Sequence, residues 1–101
     1  MSSVDPVVSV AVRTPHGRFQ GELAAISASS PGASVIRAAL ERAARPPGRI
    51  DEVFMGCVLP AGQASARRAM RVAGLLDEVG ATNVDKVCGS GMKAVMIEWP
   101  V

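Results

Sequence analysis

Three short runs read as strands along the chain: the β-branched VVSVAV (7–12), then EVFMGCVL (52–59) and TNVDKV (82–87). Each is followed by a segment whose apolar residues recur at helical spacing. Strands that alternate with helices are best covered when the helices pack over a parallel sheet through right-handed crossovers. The expected order is β-α-β-α-β-α in an α/β fold with a mainly parallel sheet. The nearly continuous apolar run at 7–12 predicts a strand buried on both faces. EVFMGCVL predicts a second strand, in which Gly56 marks a bulge or the close approach of another backbone. TNVDKV predicts a third, more polar strand that carries Asp85 and Lys86.

The helix signals fall in order. In SSPGASVIRAALERAARPPG, Ser30 is a candidate N-cap and Pro31 a candidate first helical residue. Ala33, Ile36, Leu40 and Ala43 share one face, while Arg37, Glu41 and Arg45 lie four apart and predict ion-pair support. Pro46, Pro47 and Gly48 end the pattern. After a turn at PAGQAS, the segment SARRAMRVAG predicts a second helix with Ser65 as cap and Gly74 as stop. Its apolar stripe is Ala66, Ala69, Met70 and Ala73, with Arg67, Arg68 and Arg71 elsewhere. A third helix is expected from Gly89–Ser90, burying Met92, Val95 and Met96. Aromatic residues are limited to Phe19, Phe54 and Trp99, so the core must be built from Ala, Val, Leu, Ile and Met.

The 101 residues amount to one domain at most, because single domains commonly need ~100–150. A three-stranded sheet with no further cover leaves long unpaired edges, and Pro100 blocks easy continuation of the third helix. The chain therefore reads as the opening of something larger. Eleven basic and nine acidic residues give a net charge of +2, and no basic run is interleaved with aromatics, so nucleic-acid binding is not expected. No segment holds the ~18 apolar residues of a membrane span, and MSSVDPVVSV lacks the features of a secretory signal. The two cysteines, Cys57 and Cys88, are far apart, with no CxxC motif and no histidine cluster. A disulfide framework or a metal site is not expected, and a reducing cytoplasm fits best.

The chemistry concentrates in DKVCGSGMKAV (85–95). Cys88 is expected at the carboxyl end of a parallel strand, where ligands gather in open α/β sheets. It also falls at the amino end of a helix, where backbone N–H groups and the helix dipole favour an anionic sulfur. Gly89 and Gly91 would leave space for an acyl group to approach it. The arrangement is the cysteine counterpart of the strand–turn–helix elbow that presents serine in some hydrolases. The competing reading is a buried, inert thiol, which is the expectation for Cys57. Asp85 is placed by strand alternation on the face opposite Cys88, Lys93 reads as a solvated helix lysine, and His16 as an exposed loop residue. A second reading takes Gly89-Ser90-Gly91-Met92-Lys93-Ala94 as G-x-G-x-x-[GA], the start of a dinucleotide-binding domain. The acidic residue that would accompany it, ~20 positions later, falls beyond Val101.

Five stretches together resemble the N-terminal part of the thiolase family, the acetyl-CoA acetyltransferases. VAVRTPHGRFQGELA resembles the family's opening strand and R-T-P-x-G-x-F loop. SVIRAALERA and IDEVFMGCVLPAGQ resemble its first helix and second strand, and ARRAMRVAGL resembles the segment that opens A-R-Q in most members. VDKVCGSGMKAVM resembles the signature around the acylated cysteine, with Asp85 where Asn is usual. The resemblance implies a partial thiolase-like N-terminal domain over 1–101, a truncated N-terminal half of that fold. It implies that Cys88 is the acyl-thioester nucleophile, that acyl-coenzyme A is the substrate, and that the setting is fatty acid metabolism. No cofactor or metal is implied, and the family assembles as homo-oligomers.

The departures carry expectations too. The family's activating histidine and second, proton-transferring cysteine belong to its C-terminal half, and neither His16 nor Cys57 matches them. Most of the coenzyme A site is absent, the PAGQASARRA turn is about two residues short, and IEWPV departs from the expected helix. A truncated, frameshifted or excised fragment is expected, inactive alone. The alternative is a non-catalytic interaction fragment.

Overall fold

The computed structural model describes residues 5–58 and 65–98. Its elements are α1 (Ser29–Ala43), a single 3-10 turn (Pro47–Arg49), β1 (Glu52–Gly56), α2 (Ser65–Val72), β2 (Gly80–Val84) and α3 (Ser90–Glu98). β1 and β2 pair in parallel, with Glu52 opposite Gly80 and Gly56 opposite Val84. A parallel pair needs a crossover, and α2 supplies it. The α/β class and parallel sheet are those the strand–helix alternation implied.

The core lies between α1, α2 and one face of the sheet. Ala33, Met70, Ala73, Leu75 and Val79 are its buried centre, with Ile36, Leu40, Ile50, Val53 and Ala81 packed against it. All four residues of the predicted α2 stripe, Ala66, Ala69, Met70 and Ala73, are buried. Arg67, Arg68 and Arg71 face solvent. Small side chains let α1 and α2 come close: a Cβ added at Gly32 would lie 3.1 Å from the Ala69 Cβ.

α1 and α2 end in the same way. The N–H of Gly74 bonds to the Arg71 carbonyl and that of Leu75 to the Met70 carbonyl, with Gly74 at φ +93°. At the end of α1 the N–H of Ala44 bonds to Glu41 and that of Arg45 to Leu40, with Ala44 at φ 54°. These paired bonds close a Schellman motif around a left-handed residue. Gly74 is therefore the predicted stop, whereas α1 ends at Ala44, before the Pro-Pro-Gly sequence takes effect.

Several expectations are corrected. Residues 7–12 form no strand: among the described residues the sheet has two members, and Val7 and Val8 are exposed. A β-rich run becomes a strand only when an edge accepts its hydrogen bonds, and neither β1 nor β2 pairs with this one. The third predicted strand starts two residues earlier, at Gly80, and stops at Val84, leaving Asp85 and Lys86 in the following turn. Ser30 is not the N-cap. Helical backbone already begins at Ala28, which makes no side-chain cap bond, and Ser30 lies within the first turn. The ion pair expected along Arg37, Glu41 and Arg45 is not made; among the described residues the pair formed is Arg71–Asp77, at 3.2 Å between exposed groups. Met92, Val95 and Met96 are not buried: they are 74%, 58% and 56% exposed, and α3 instead buries Ser90 and Ala94. The PAGQAS turn, up to residue 64, lies outside the described residues.

Candidate thiol site

Past Val84 the chain turns through Asp85–Gly89 into α3, and hydrogen bonds within the turn fix its path. The Asp85 carboxylate accepts from the Val87 N–H at 3.0 Å, a local bond that Asp makes well in turns. The N–H of Gly89 donates to the Lys86 carbonyl at 2.9 Å, and that of Ser90 to the Val87 carbonyl at 3.2 Å. The Ser90 hydroxyl donates to the Val87 carbonyl at 2.7 Å and accepts from the Lys86 N–H at 2.8 Å. Val87 is held at φ 46°. A left-handed conformation costs a non-glycine residue roughly 1–2 kcal/mol, and β branching makes it rarer still.

This turn presents Cys88 to solvent, between the carboxyl end of β2 and the amino end of α3. Helix geometry leaves first-turn N–H groups without intrahelical acceptors, and those of Gly91 and Met92 belong to that turn. A Cβ built on Gly91 would meet nothing within 4 Å, and one on Gly89 would meet only the Lys86 carbonyl oxygen, at 3.5 Å. The space around both glycines is open. The predicted close approach at Gly56 is also present. A Cβ there would fall 2.6 Å from the Gly91 nitrogen and 2.7 Å from the Ser90 carbonyl carbon. The end of β1 thus abuts the start of α3.

Asp85, Cys88, Gly89, Gly91 and Lys93 therefore fall within one turn and the helix start after it. Asp85 is engaged with the Val87 N–H, and the half-buried Lys93 donates its own N–H to the Gly89 carbonyl at 2.9 Å. The other two candidates lie elsewhere. Cys57 is half-buried just past β1, where its N–H extends the ladder to the Val84 carbonyl at 2.8 Å. His16 lines a separate surface cavity of about 300 Å³ with Gly17, Arg18 and Glu22. Among the described residues no group of three or more His, Cys, Asp or Glu side chains could hold a metal. None of the described helices is long and apolar enough to cross a membrane.

Two residues escaped the sequence reading. Asn83 on β2 accepts the Ala66 N–H at 2.9 Å, so the start of α2 is capped from the neighbouring strand. Ser90 entered there as a helix start and as a variable position of the G-x-G pattern, yet it is the buried polar residue of the turn. The signal for Ser90 was its place between two glycines at a helix start; nothing local pointed to Asn83.

The fold and the turn define a parallel α/β chain that presents a cysteine where strand passes into helix. The chain belongs to the thiolase family: the model of the thiolase N-terminal domain matches residues 6–100. It is 53% identical over 95 residues to an acetyl-CoA acetyltransferase of Cupriavidus necator, covering 92% of this chain and 24% of the relative. It is 47% identical over 93 residues to mitochondrial acetyl-CoA acetyltransferase B of Xenopus laevis, covering 90% and 22%. Among solved structures it is similar to the Acat5 thiolase of Ascaris suum in complex with coenzyme A. That match has a TM-score of 0.81 and 34% identity, and covers 85% of this chain and 23% of the other. The chain thus spans about a quarter of the length of these relatives.

Proposed function

We propose that this chain is the N-terminal portion of a thiolase-type acyltransferase and that Cys88 takes the acyl group from a coenzyme A thioester. The observation that carries this reading is the exposed Cys88 at the strand–helix turn. The relatives named acetyl-CoA acetyltransferase, and a thiolase neighbour in complex with coenzyme A, support the substrate class. In the proposed step the Cys88 thiolate adds to the thioester carbonyl. The bond from that carbon to the coenzyme A sulfur breaks, and coenzyme A leaves as a thiolate that takes up a proton. One thioester replaces another, and covalent catalysis divides a hard carbon–carbon step into two easier ones. Gly89 and Gly91, next to Cys88 in the chain, carry no side chain into the open space around them, which leaves room for the acyl chain.

Condensation with a second acyl-CoA needs a base and a proton-transferring cysteine. The family resemblance places both in the half this chain does not match. The 101-residue chain alone is therefore expected to turn over no acetoacetyl-CoA in either direction, and measurable turnover by the purified chain would refute that. The site assignment has its own test. After incubation with acetyl-CoA, peptide mass spectrometry should find the acetyl group on Cys88 and not on Cys57. Equal labelling of the two thiols removes Cys88 from its role.

A further inference from the structure

We propose that Ser90 is the positioning residue of the Cys88 turn. The proposal rests on the reading of Cys88 as the acyl-accepting thiol and adds the group that holds it in place. Ser90 is 3% exposed, and it is the buried polar residue among those described. Its hydroxyl uses its donor on the Val87 carbonyl, at 2.7 Å, and a lone pair on the Lys86 N–H, at 2.8 Å. Both partners lie on the chain just before the cysteine, while Ser90 itself opens the helix just after it. One hydroxyl therefore ties the strand side of the turn to its helix side, with Cys88 on the outside of the tie.

The tie matters because the turn is not a conformation the chain would choose. Val87 sits at φ 46°, and a β-branched residue persists there only when its surroundings over-determine it. Three bonds supply that constraint: the Val87 N–H to the Asp85 carboxylate, the Ser90 N–H to the Val87 carbonyl, and the Ser90 hydroxyl to the same carbonyl. Removing the hydroxyl frees the Lys86 N–H and halves the donors on the Val87 carbonyl. Val87 can then relax toward negative φ, and the turn that carries Cys88 shifts relative to the start of α3. Cys88 stays exposed but is no longer fixed.

The test measures alkylation of each cysteine by iodoacetamide in the full chain, resolved by peptide mass spectrometry across pH. Because it uses no thioester, its outcome is independent of acetyl labelling, and the two proposals can fail separately. Ser90→Ala should slow Cys88 about tenfold near neutral pH, the factor one hydrogen bond of ordinary net strength carries. Cys57, half-buried at the end of β1, should keep its rate and so report an intact fold. Ser90→Thr, which retains the hydroxyl, should restore most of the loss. An unchanged Cys88 rate in Ser90→Ala overturns the proposal, and so does failure of Ser90→Thr to restore any of it while Cys57 stays protected. If Ser90→Ala exposes both thiols alike, amide exchange in the unsubstituted chain decides. A Lys86 N–H protected although it lies outside every helix and strand upholds the tie. Exchange at the rate of an unstructured amide breaks it.

Discussion

A side chain at Gly56 would enter the backbone of α3 at its first turn, 2.6 Å from the Gly91 nitrogen. Backbone cannot swing aside as a side-chain tip can, so Gly56→Ala must push α3 away from β1. The expected cost is roughly 1–3 kcal/mol, the usual range for overpacking. A fall in urea midpoint at constant slope would confirm it; an unchanged midpoint would contradict it. Gly91→Ala should behave oppositely. Its Cβ meets nothing within 4 Å, and alanine in a helix is more stable than glycine by roughly 0.5–1 kcal/mol. The same methyl would stand in the space proposed for the acyl group, so Gly91→Ala should gain stability while Cys88 accepts acetyl more slowly. Gly56 was legible as a close approach because a glycine inside an apolar strand gives up packing and needs a reason. What it approaches was not legible, since α3 lies more than thirty positions away in the chain.

Two helix ends show where element boundaries come from. α2 receives its cap from Asn83, at 2.9 Å to the Ala66 N–H. Asn83→Ala should therefore destabilise the protein by about 1 kcal/mol, as loss of a local cap does. α1 ends at Ala44, in a left-handed conformation that glycine adopts freely. Ala44→Gly should stabilise by roughly 0.5 kcal/mol, net of glycine's extra freedom in the unfolded chain. Thermal unfolding of the two variants should move the midpoint in opposite directions; movement in the same direction would count against one of the two caps. The α2 stripe was readable because Ala66, Ala69, Met70 and Ala73 face partners inside this chain. The α3 stripe was misread for the complementary reason. Periodicity shows that Met92, Val95 and Met96 share a face, but not whether this chain carries anything to pack over it.

At the scale of the molecule, among the described residues, the buried centre begins at Ala33 and uses nothing N-terminal to it. The described residues before α1 form turns and irregular backbone, mostly exposed, with Arg13 and Arg18 among them. Trypsin should cut after these two arginines before it cuts within α2, leaving a C-terminal piece that keeps its helical circular dichroism. Early cleavage at Arg67 or Arg68 would show that the core opens as readily as the exposed segment. The expectation of a strand at 7–12 failed at this scale. Composition gave the segment its β preference, but a strand also needs an unoccupied edge brought alongside, which is a property of the assembled sheet. The thiol turn was legible because its parts (strand end, cysteine, glycines, helix start) are contiguous in the sequence.

The packing of Met70 has one more consequence. Among the described residues it is the large side chain with full burial, whereas Met92 and Met96 stand in solvent. Peroxide can therefore add oxygen to the α3 thioethers while the protein remains intact, but it reaches Met70 only during a moment of opening. A sulfoxide formed there would bring a polar, chiral group back into a space built for a soft sulfur. A single atom gained at that position would turn a passing excursion into a lasting one, until a reductase removed it.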